Sequence, residues 1–334
     1  MITVENLTKE FIIHKKQPGL LGTVKSLFLR EKEIKKAVDG ISFTIQPGEM
    51  VGYIGANGAG KSTTIKIMTG ILNPTAGLAS VNGLIPYEQR QKNARQIGVV
   101  FGQRTQLWGD LPLRETFSIL KEIYEVPKAD FDQRMKYLDG VLTLSEFITQ
   151  PVRTLSLGQR MRADLAASLL HNPKVLFLDE PTIGLDIVVK EKVLAAIKDI
   201  NKQYGTTVIL TTHDMADIEE LCSRIIIIDQ GKKVHDGSLA QIKDQYGFMQ
   251  TLVMEIKEAE KVATLNLAAT FKLDEEDLIV NLEDTTLSLR FNSHKVKASD
   301  LLFHVMQRLP VIDMKVQETN IEEIVKGIYQ GRGL

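Results

Sequence analysis

Residues 55–62, Gly-Ala-Asn-Gly-Ala-Gly-Lys-Ser, constrain this 334-residue chain more than any other stretch. They fit G-x-x-x-x-G-K-[ST], the phosphate-binding loop. Gly55, Gly58 and Gly60 allow a tight curl that points successive backbone N–H groups into one hollow. A helix beginning near Lys61 turns its positive end to the same place. Lys61 can reach the outer phosphates, and the Ser62 hydroxyl can ligate Mg²⁺. The flanks are those the motif requires. Residues 49–54 read as a buried strand and residues 63–68 as a helix, so the expected local order is strand, loop, helix.

Four further positions extend the loop into a site for nucleotide hydrolysis. The apolar run Val175-Leu176-Phe177-Leu178 closes on Asp179. Buried parallel strands read as continuous apolar runs, so a carboxylate ending one sits at the sheet's ligand edge, where Asp179 would hold Mg²⁺ directly or through water. Glu180 follows at once. Successive residues at a strand end diverge, so Glu180 can face the γ-phosphate and polarise the attacking water. Gln103, just past the run 97–101, can contact Mg²⁺ and that water. His213 closes the run 207–211 and can hydrogen-bond the γ-phosphate. Phe11, near the end of the first strand, either stacks on a base or packs in the core; local sequence does not choose.

Composition narrows the setting. A hydrophobic content of 43% is ample for two domains, and a formal charge of −1 argues against a nucleic-acid partner. Cys222 is the only cysteine, which excludes an internal disulfide framework and fits a reducing cytoplasm. The N-terminal residues do not read as a signal peptide, and no apolar run approaches the ~20 residues of a membrane helix. Any membrane role therefore needs a partner.

Along the chain, residues 14–36 stand out as an insert. It carries seven Lys/Arg against Glu31 and Glu33, with Leu20, Leu21, Val24, Leu27 and Phe28 on one helical face. That composition suits a basic amphipathic helix at an anionic membrane or a membrane partner, or a hairpin insert packed on its own domain. Residues 104–165 read as a helical subdomain, with helices over 114–124 and 131–144. Another helix follows Leu155-Ser156-Leu157-Gly158-Gln159, over 159–170. From residue 247 the texture changes to a βαββαβα order, with a helix expected over 258–268. This tail holds ten basic and fourteen acidic residues and no catalytic cluster.

Together these residues make the chain resemble the ATP-binding subunits of bacterial ABC transporters, over residues 1–245. The resemblance rests on Gly55–Ser62, Gln103, Leu155–Gln159, Leu176–Glu180, Gly184-Leu185-Asp186 and His213, all in the family's order. It implies an α/β P-loop NTPase cassette over 1–246, with a small C-terminal α+β domain over 247–334. The implied activity is ATP hydrolysis with Mg²⁺. The implied nucleotide contacts are Phe11, Gly55, Asn57, Gly58, Gly60, Lys61, Ser62 and Thr63, with Ser156, Gly158 and Gln159 reaching the ATP of a second subunit. Ser62, Gln103 and Asp179 are the implied metal set, and Glu180, His213 and Gln103 the catalytic set. Such subunits dimerise head to tail, as homodimers or with a related subunit, which places Asp186 at the dimer interface. They drive an integral membrane permease from the cytoplasmic face of the membrane, to which they are peripheral. The domain order and the ending Thr319-Asn320-Ile321-Glu322-Glu323-Ile324-Val325 resemble the daunorubicin-type exporters. Trp108 and the 104–116 segment are the expected coupling surface. Leu157 departs from the family's usual Leu-Ser-Gly-Gly-Gln signature. With Ser156, Gly158 and Gln159 in place, hydrolysis is still expected. The competing class, a non-transport member acting on ribosomes or nucleic acid, usually carries two cassettes or long coiled-coil inserts, and neither is present.

Overall fold

Two long antiparallel strands, β1 (Ile2–His14) and β2 (Lys32–Ile45), open the chain. The structure is a computed structural model that describes residues 1–14, 32–102, 105–274 and 276–329. Both strands run into the insert expected over 14–36. Phe11 pairs with Lys35, Ile12 with Ile34 and Ile13 with Glu33. Residues 32–36 of the expected insert are therefore strand, while its apolar helical face lies outside the described residues.

A central sheet builds the site. Its strands are β3 (Met50–Gly55), β5 (Ile97–Phe101), β6 (Val175–Asp179), β7 (Thr207–Thr211), β8 (Arg224–Asp229) and β9 (Lys232–Ser238). Their order is β5-β6-β7-β3-β8-β9, and β5, β6, β7, β3 and β8 run parallel. Strand β4 (Ala76–Val81) instead joins β1 and β2 in a three-stranded antiparallel sheet. The parallel strands are buried along their length, as their apolar runs require. Ile2, Val4, Phe43 and Ile45 of the smaller sheet share one core with Tyr53, Phe177, Ile209 and Ile226 of the larger. Phe177 is fully buried there, and its truncation to alanine would cost ~3–5 kcal/mol.

Register sets the chemistry at one edge. Phe101 pairs with Asp179 and Asp179 with Thr211, so the ends of β5, β6 and β7 lie level. The phosphate loop leaves β3, which pairs with β7 on one side and β8 on the other.

Helices Leu113–Ile123, Lys128–Leu142 and Leu157–Leu169 form the helical region between β5 and β6. Pro112 and Pro127 occupy the N-cap positions of the first two. The Pro127 carbonyl accepts the Phe131 N–H at 2.9 Å as the first bond of the second helix, which therefore begins before the expected residue 131.

The two compact units are Met1–Gly237 and Ser238–Leu334. The division falls before helix Leu239–Tyr246, not after residue 246 as expected. That helix opens on a capping box between Ser238 and Gln241, and it packs on helix Ile321–Tyr329 of the second unit. The second unit's sheet comprises β10 (Met249–Ile256), β11 (Leu278–Glu283), β12 (Thr286–Asn292) and β13 (Val311–Glu318), in the antiparallel order β11-β12-β10-β13. Leu252, Met254, Leu287, Leu289 and Phe291 pack with Leu301 and Val305 of helix Ala298–Met306. The helix expected over 258–268 is instead a 3₁₀ turn, Ala259–Thr264, and a short helix, Leu267–Phe271. Asn266, in the left-handed region at φ 41°, separates them. No helix among the described residues is long and apolar enough to cross a membrane.

Candidate functional site

The phosphate loop is held open by two glycines that no other residue could replace without strain. Gly58 lies at φ 83° and Gly60 at φ 110°. A Cβ at Gly60 would stand 2.3 Å from the Ala37 carbonyl oxygen. Helix Lys61–Met68 starts at Gly60 with no side-chain cap. Its first N–H groups are thus without intrahelical partners and carry the positive end of the helix dipole. Lys61 is nearly buried, and its Nζ donates to the carbonyls of Gly55 at 2.6 Å and Ala56 at 3.3 Å. Burial pulls the Lys61 pKa down, while the charges of Glu180 and Asp179 pull it back up. A buried cation with weak dipolar partners is suited to a phosphate dianion.

Ser62, Asp179 and Thr211 form the second part. Ser62 Oγ donates to Asp179 Oδ2 at 3.3 Å, and Thr211 Oγ1 donates to Asp179 Oδ1 at 2.5 Å. Thr211 therefore fixes the carboxylate and leaves its other oxygen beside the serine hydroxyl. No group of three acidic, histidine or cysteine residues among the described residues could hold a metal alone. The pair nevertheless fits Mg²⁺, which takes one or two protein oxygens together with substrate phosphates.

Glu180 forms the third part. Its backbone lies at φ 57°, a left-handed position uncommon for a residue with a side chain. Its N–H donates to the Thr211 carbonyl at 2.9 Å. Glu180 Oε1 lies 3.2 Å from His213 Nε2, yet without hydrogen-bond alignment, so this buried oxygen keeps an unfilled acceptor. Burial raises the Glu180 pKa, and the facing His213 and then Lys61 lower it. A carboxylate with a raised pKa and a free acceptor is the state a general base needs.

Gln103 lies outside the described residues. The residue before it, Gly102, donates its N–H to the Asp179 carbonyl at 2.7 Å. A Cβ at Gly102 would stand 2.1 Å from the Glu180 carbonyl oxygen, so only glycine allows this approach. Phe11 is 38% exposed, with Lys9 over its ring at 5.3 Å, which removes the core reading. It sits on β1 opposite Lys35, two residues from the Ala37 carbonyl that abuts Gly60. Asn57 is exposed, and Thr63 lies in the first turn of the loop helix.

The structure gathers Lys61, Ser62, Asp179, Glu180 and His213 but holds Ser156–Gln159 in a separate cluster. Ser156 Oγ accepts the Gln159 N–H at 3.2 Å, and Gln159 Oε1 accepts the Ser156 N–H at 2.9 Å, a closed capping box. A Cβ at Gly158 would meet Val189 Cγ1 at 2.9 Å. A Cβ at Gly184, φ 72°, would meet Leu157 Cδ2 at 3.0 Å, so the leucine of the altered signature rests where Gly184 leaves room. Asp186 caps the next helix, Ile187–Tyr204, by accepting the Val189 N–H at 2.9 Å. Leu157, Ile183, Ile187 and Val188 are exposed around this cluster.

Sequence reasoning missed two supporting carboxylates. Asp217 is fully buried; its Oδ2 accepts Thr182 Oγ1 at 2.6 Å, and Lys190 Nζ lies 2.7 Å from Oδ1. It ties the segment after Glu180 to the segment after His213. Asp164, on helix Leu157–Leu169, accepts Thr105 Oγ1 at 2.9 Å and the Gln106 N–H at 3.1 Å. It joins the chain entering the helical region to the helix leaving it. Burial raises the Asp164 pKa to about 6 against these two hydrogen bonds and Arg160. The only sequence signal was an acidic residue on the apolar side of a helix.

Comparison with known proteins identifies the family. The family model described as ABC transporter matches residues 38–183. The linearmycin resistance ATP-binding protein LnrL of Bacillus subtilis (strain 168) is 32% identical over 306 residues, 89% of this chain and 96% of that protein. The methionine import ATP-binding protein MetN of Geobacillus kaustophilus (strain HTA426) is 34% identical over 67% of each chain. Among solved structures, a dimeric ATP-binding cassette in a post-hydrolysis state with ADP and Pi superimposes with a TM-score of 0.59. It is 27% identical and spans 72% of this chain and 99% of its own.

Proposed function

We propose, from the premise that this chain belongs to the ABC transporter family as an ATP-binding subunit and is an ATPase, that it energises a membrane permease by closing head to tail on a second subunit around two ATP molecules. The observation that carries the reading is the meeting of Lys61, Ser62, Asp179, Glu180 and His213 at one sheet edge. The uncapped helix start and Lys61 hold the β- and γ-phosphates. Ser62 and Asp179 would hold Mg²⁺, which would offset phosphate charge. Glu180 Oε1 takes a proton from water as the water oxygen bonds to the γ-phosphorus and the bond to the β–γ bridging oxygen breaks. ADP and phosphate are the products, and His213, 3.2 Å from that oxygen, steadies the protonated carboxyl and the departing phosphate. Ser156 and Gly158 of each subunit complete the other's site. Phe11 stacks on the adenine, and Trp108, 40% exposed, belongs to the surface that meets the permease.

Export is the direction we favour, on the resemblance of the 319–325 ending to exporters and on the resistance relative, 32% identical over 89% of the chain. Import relatives support the opposite direction, one 34% identical over 67% of the chain and another 28% identical over 98% of it. The chain would act at the cytoplasmic face of the membrane as a peripheral subunit. The test is to capture the Glu180→Gln protein with ATP from native membranes in mild detergent. A co-purifying multi-helix membrane protein is the expected result. Ribosomes or nucleic acid alone would overturn the permease reading. Vesicles rebuilt with that permease then decide direction by the side on which cargo accumulates.

A further inference from the structure

The second unit leaves one sheet edge open and apolar. Strand β13 ends the sheet order β11-β12-β10-β13, and among the described residues only β10 pairs with it. Ile312, Met314 and Val316 alternate along it and are 55%, 48% and 42% exposed. Met314 faces Met254 and Val316 faces Leu252 across the β10 ladder. Opposed residues of an antiparallel pair share a sheet face, so Met314 and Val316 continue the buried apolar face of β10 out into solvent, while Ile312 lies at a bulge where the register shifts between Glu255 and Ile256. Helix Ala298–Met306 packs on the same face and leaves Phe303 and Met306 exposed. An edge strand eight residues long with such a row, and with no proline within it, is a template for a further strand.

The charges on β13 choose the occupant. The sequence Ile312-Asp313-Met314-Lys315-Val316 is complementary to itself when reversed. We propose that β13 pairs antiparallel with β13 of a second copy of this chain, centred on Met314, joining two four-stranded sheets into one. In that register Ile312 opposes the partner's Val316, and Asp313 opposes the partner's Lys315, twice across the two-fold axis. A centre at Asp313 or Lys315 instead sets like charges face to face, which is destabilising. The same-chain neighbours argue for the same occupant. Asp313 already faces Glu255 on β10, two like charges side by side, and a lysine arriving from the open side offsets them. Neither Asp313 nor Lys315 makes an ion pair among the described residues. The opposite edge, β11, offers no such match: its only charged residue is Glu283. The surface belongs to the second unit and uses none of the nucleotide-site residues, so the proposed contact needs no ATP.

The experiment is sedimentation equilibrium of the full chain without nucleotide. The wild type is expected to self-associate to a dimer. Asp313→Lys and Lys315→Asp should each weaken that dimer ~10-fold or more, because each converts both ion pairs into repulsions. The double variant restores opposite charges and should return to within ~3-fold of wild type. As a second readout, a Met314→Cys chain oxidised with diamide should form a disulfide-linked dimer on a non-reducing gel. An Ile279→Cys chain, altered on β11, should not. The native Cys222 is buried and should stay silent. A monomeric wild type, a double variant as weak as the single ones, or cross-linking at β11 in preference to β13 would overturn the proposal.

Discussion

Two helix starts in the first unit have opposite chemistry. Helix Lys61–Met68 has no side-chain cap and begins at a left-handed glycine. Helix Leu157–Leu169 is closed by a complete capping box from Ser156 and Gln159. The first leaves its N–H groups for a ligand, and the cation beside them binds only the carbonyls of its own loop. The second satisfies itself and keeps one resource: Ser156 Oγ accepts from Gln159, so its hydroxyl hydrogen remains to donate. A start that binds a ligand must be left unsatisfied in its own chain, whereas one that meets a second subunit in the proposed closed dimer must hold its shape alone.

Substitutions can break this contrast. The largest effect is expected at the open start. Lys61→Ala removes the buried cation and should weaken ATP binding by ~100-fold or more, read by isothermal titration. At the closed start, Ser156→Ala should leave ATP affinity of the single subunit unchanged. It should lower turnover ~10–100-fold and, by the loss of a cap, lower stability by ~1 kcal/mol, read as a lower thermal midpoint. Equal loss of binding in both variants would erase the distinction between the two starts.

Smaller effects sharpen it. Gly184→Ala forces a side chain into a left-handed position and against Leu157 Cδ2, and should cost ~1–2 kcal/mol. Combining it with Leu157→Ala should recover the part due to contact and none of that due to φ, measured by urea denaturation. The smallest effect concerns Asp164. Its folded pKa of about 6 lies above the ordinary carboxylate value, so the folded state holds the proton more tightly. Stability therefore falls as pH rises between ~4 and ~6, and the charge costs ~1–3 kcal/mol at pH 7. Asp164→Asn keeps the Oδ1 acceptor for Thr105 and Gln106 and removes that charge. Its thermal midpoint should exceed wild type at pH 7 and meet it near pH 4. A variant less stable at both pH values would show that the ionised carboxylate is needed to join the two segments.

Much of the fold was legible because its signals are local. Apolar runs ending in Asp179 and Thr211 mark buried strands, and the glycines of 55–60 mark a loop with left-handed backbone. What could not be read depends on contacts distant in sequence. The extension of β1 and β2 into the insert comes from cross-strand pairing of residues such as Ile12, Ile13 and Ile34, whose side chains stay exposed, so no burial pattern marked it. The helix after Ser238 has clear caps, but its attachment to the second unit is set by helix Ile321–Tyr329, some eighty residues later. Asp164 and Asp217 looked like ordinary helical acids; their burial appears only once Thr105 and Thr182 are brought beside them. Glu180 was legible by position, while its left-handed backbone and its unfilled acceptor were not.

The most direct test of the central claim is the turnover of Glu180→Gln measured beside its ATP affinity. The geometry requires that ATP binding persist, because Lys61, Ser62 and Asp179 are untouched. It requires kcat to fall by ~100-fold or more, because an amide cannot accept the water's proton. Turnover at the wild-type rate with normal ATP affinity would contradict the assignment of the base to Glu180.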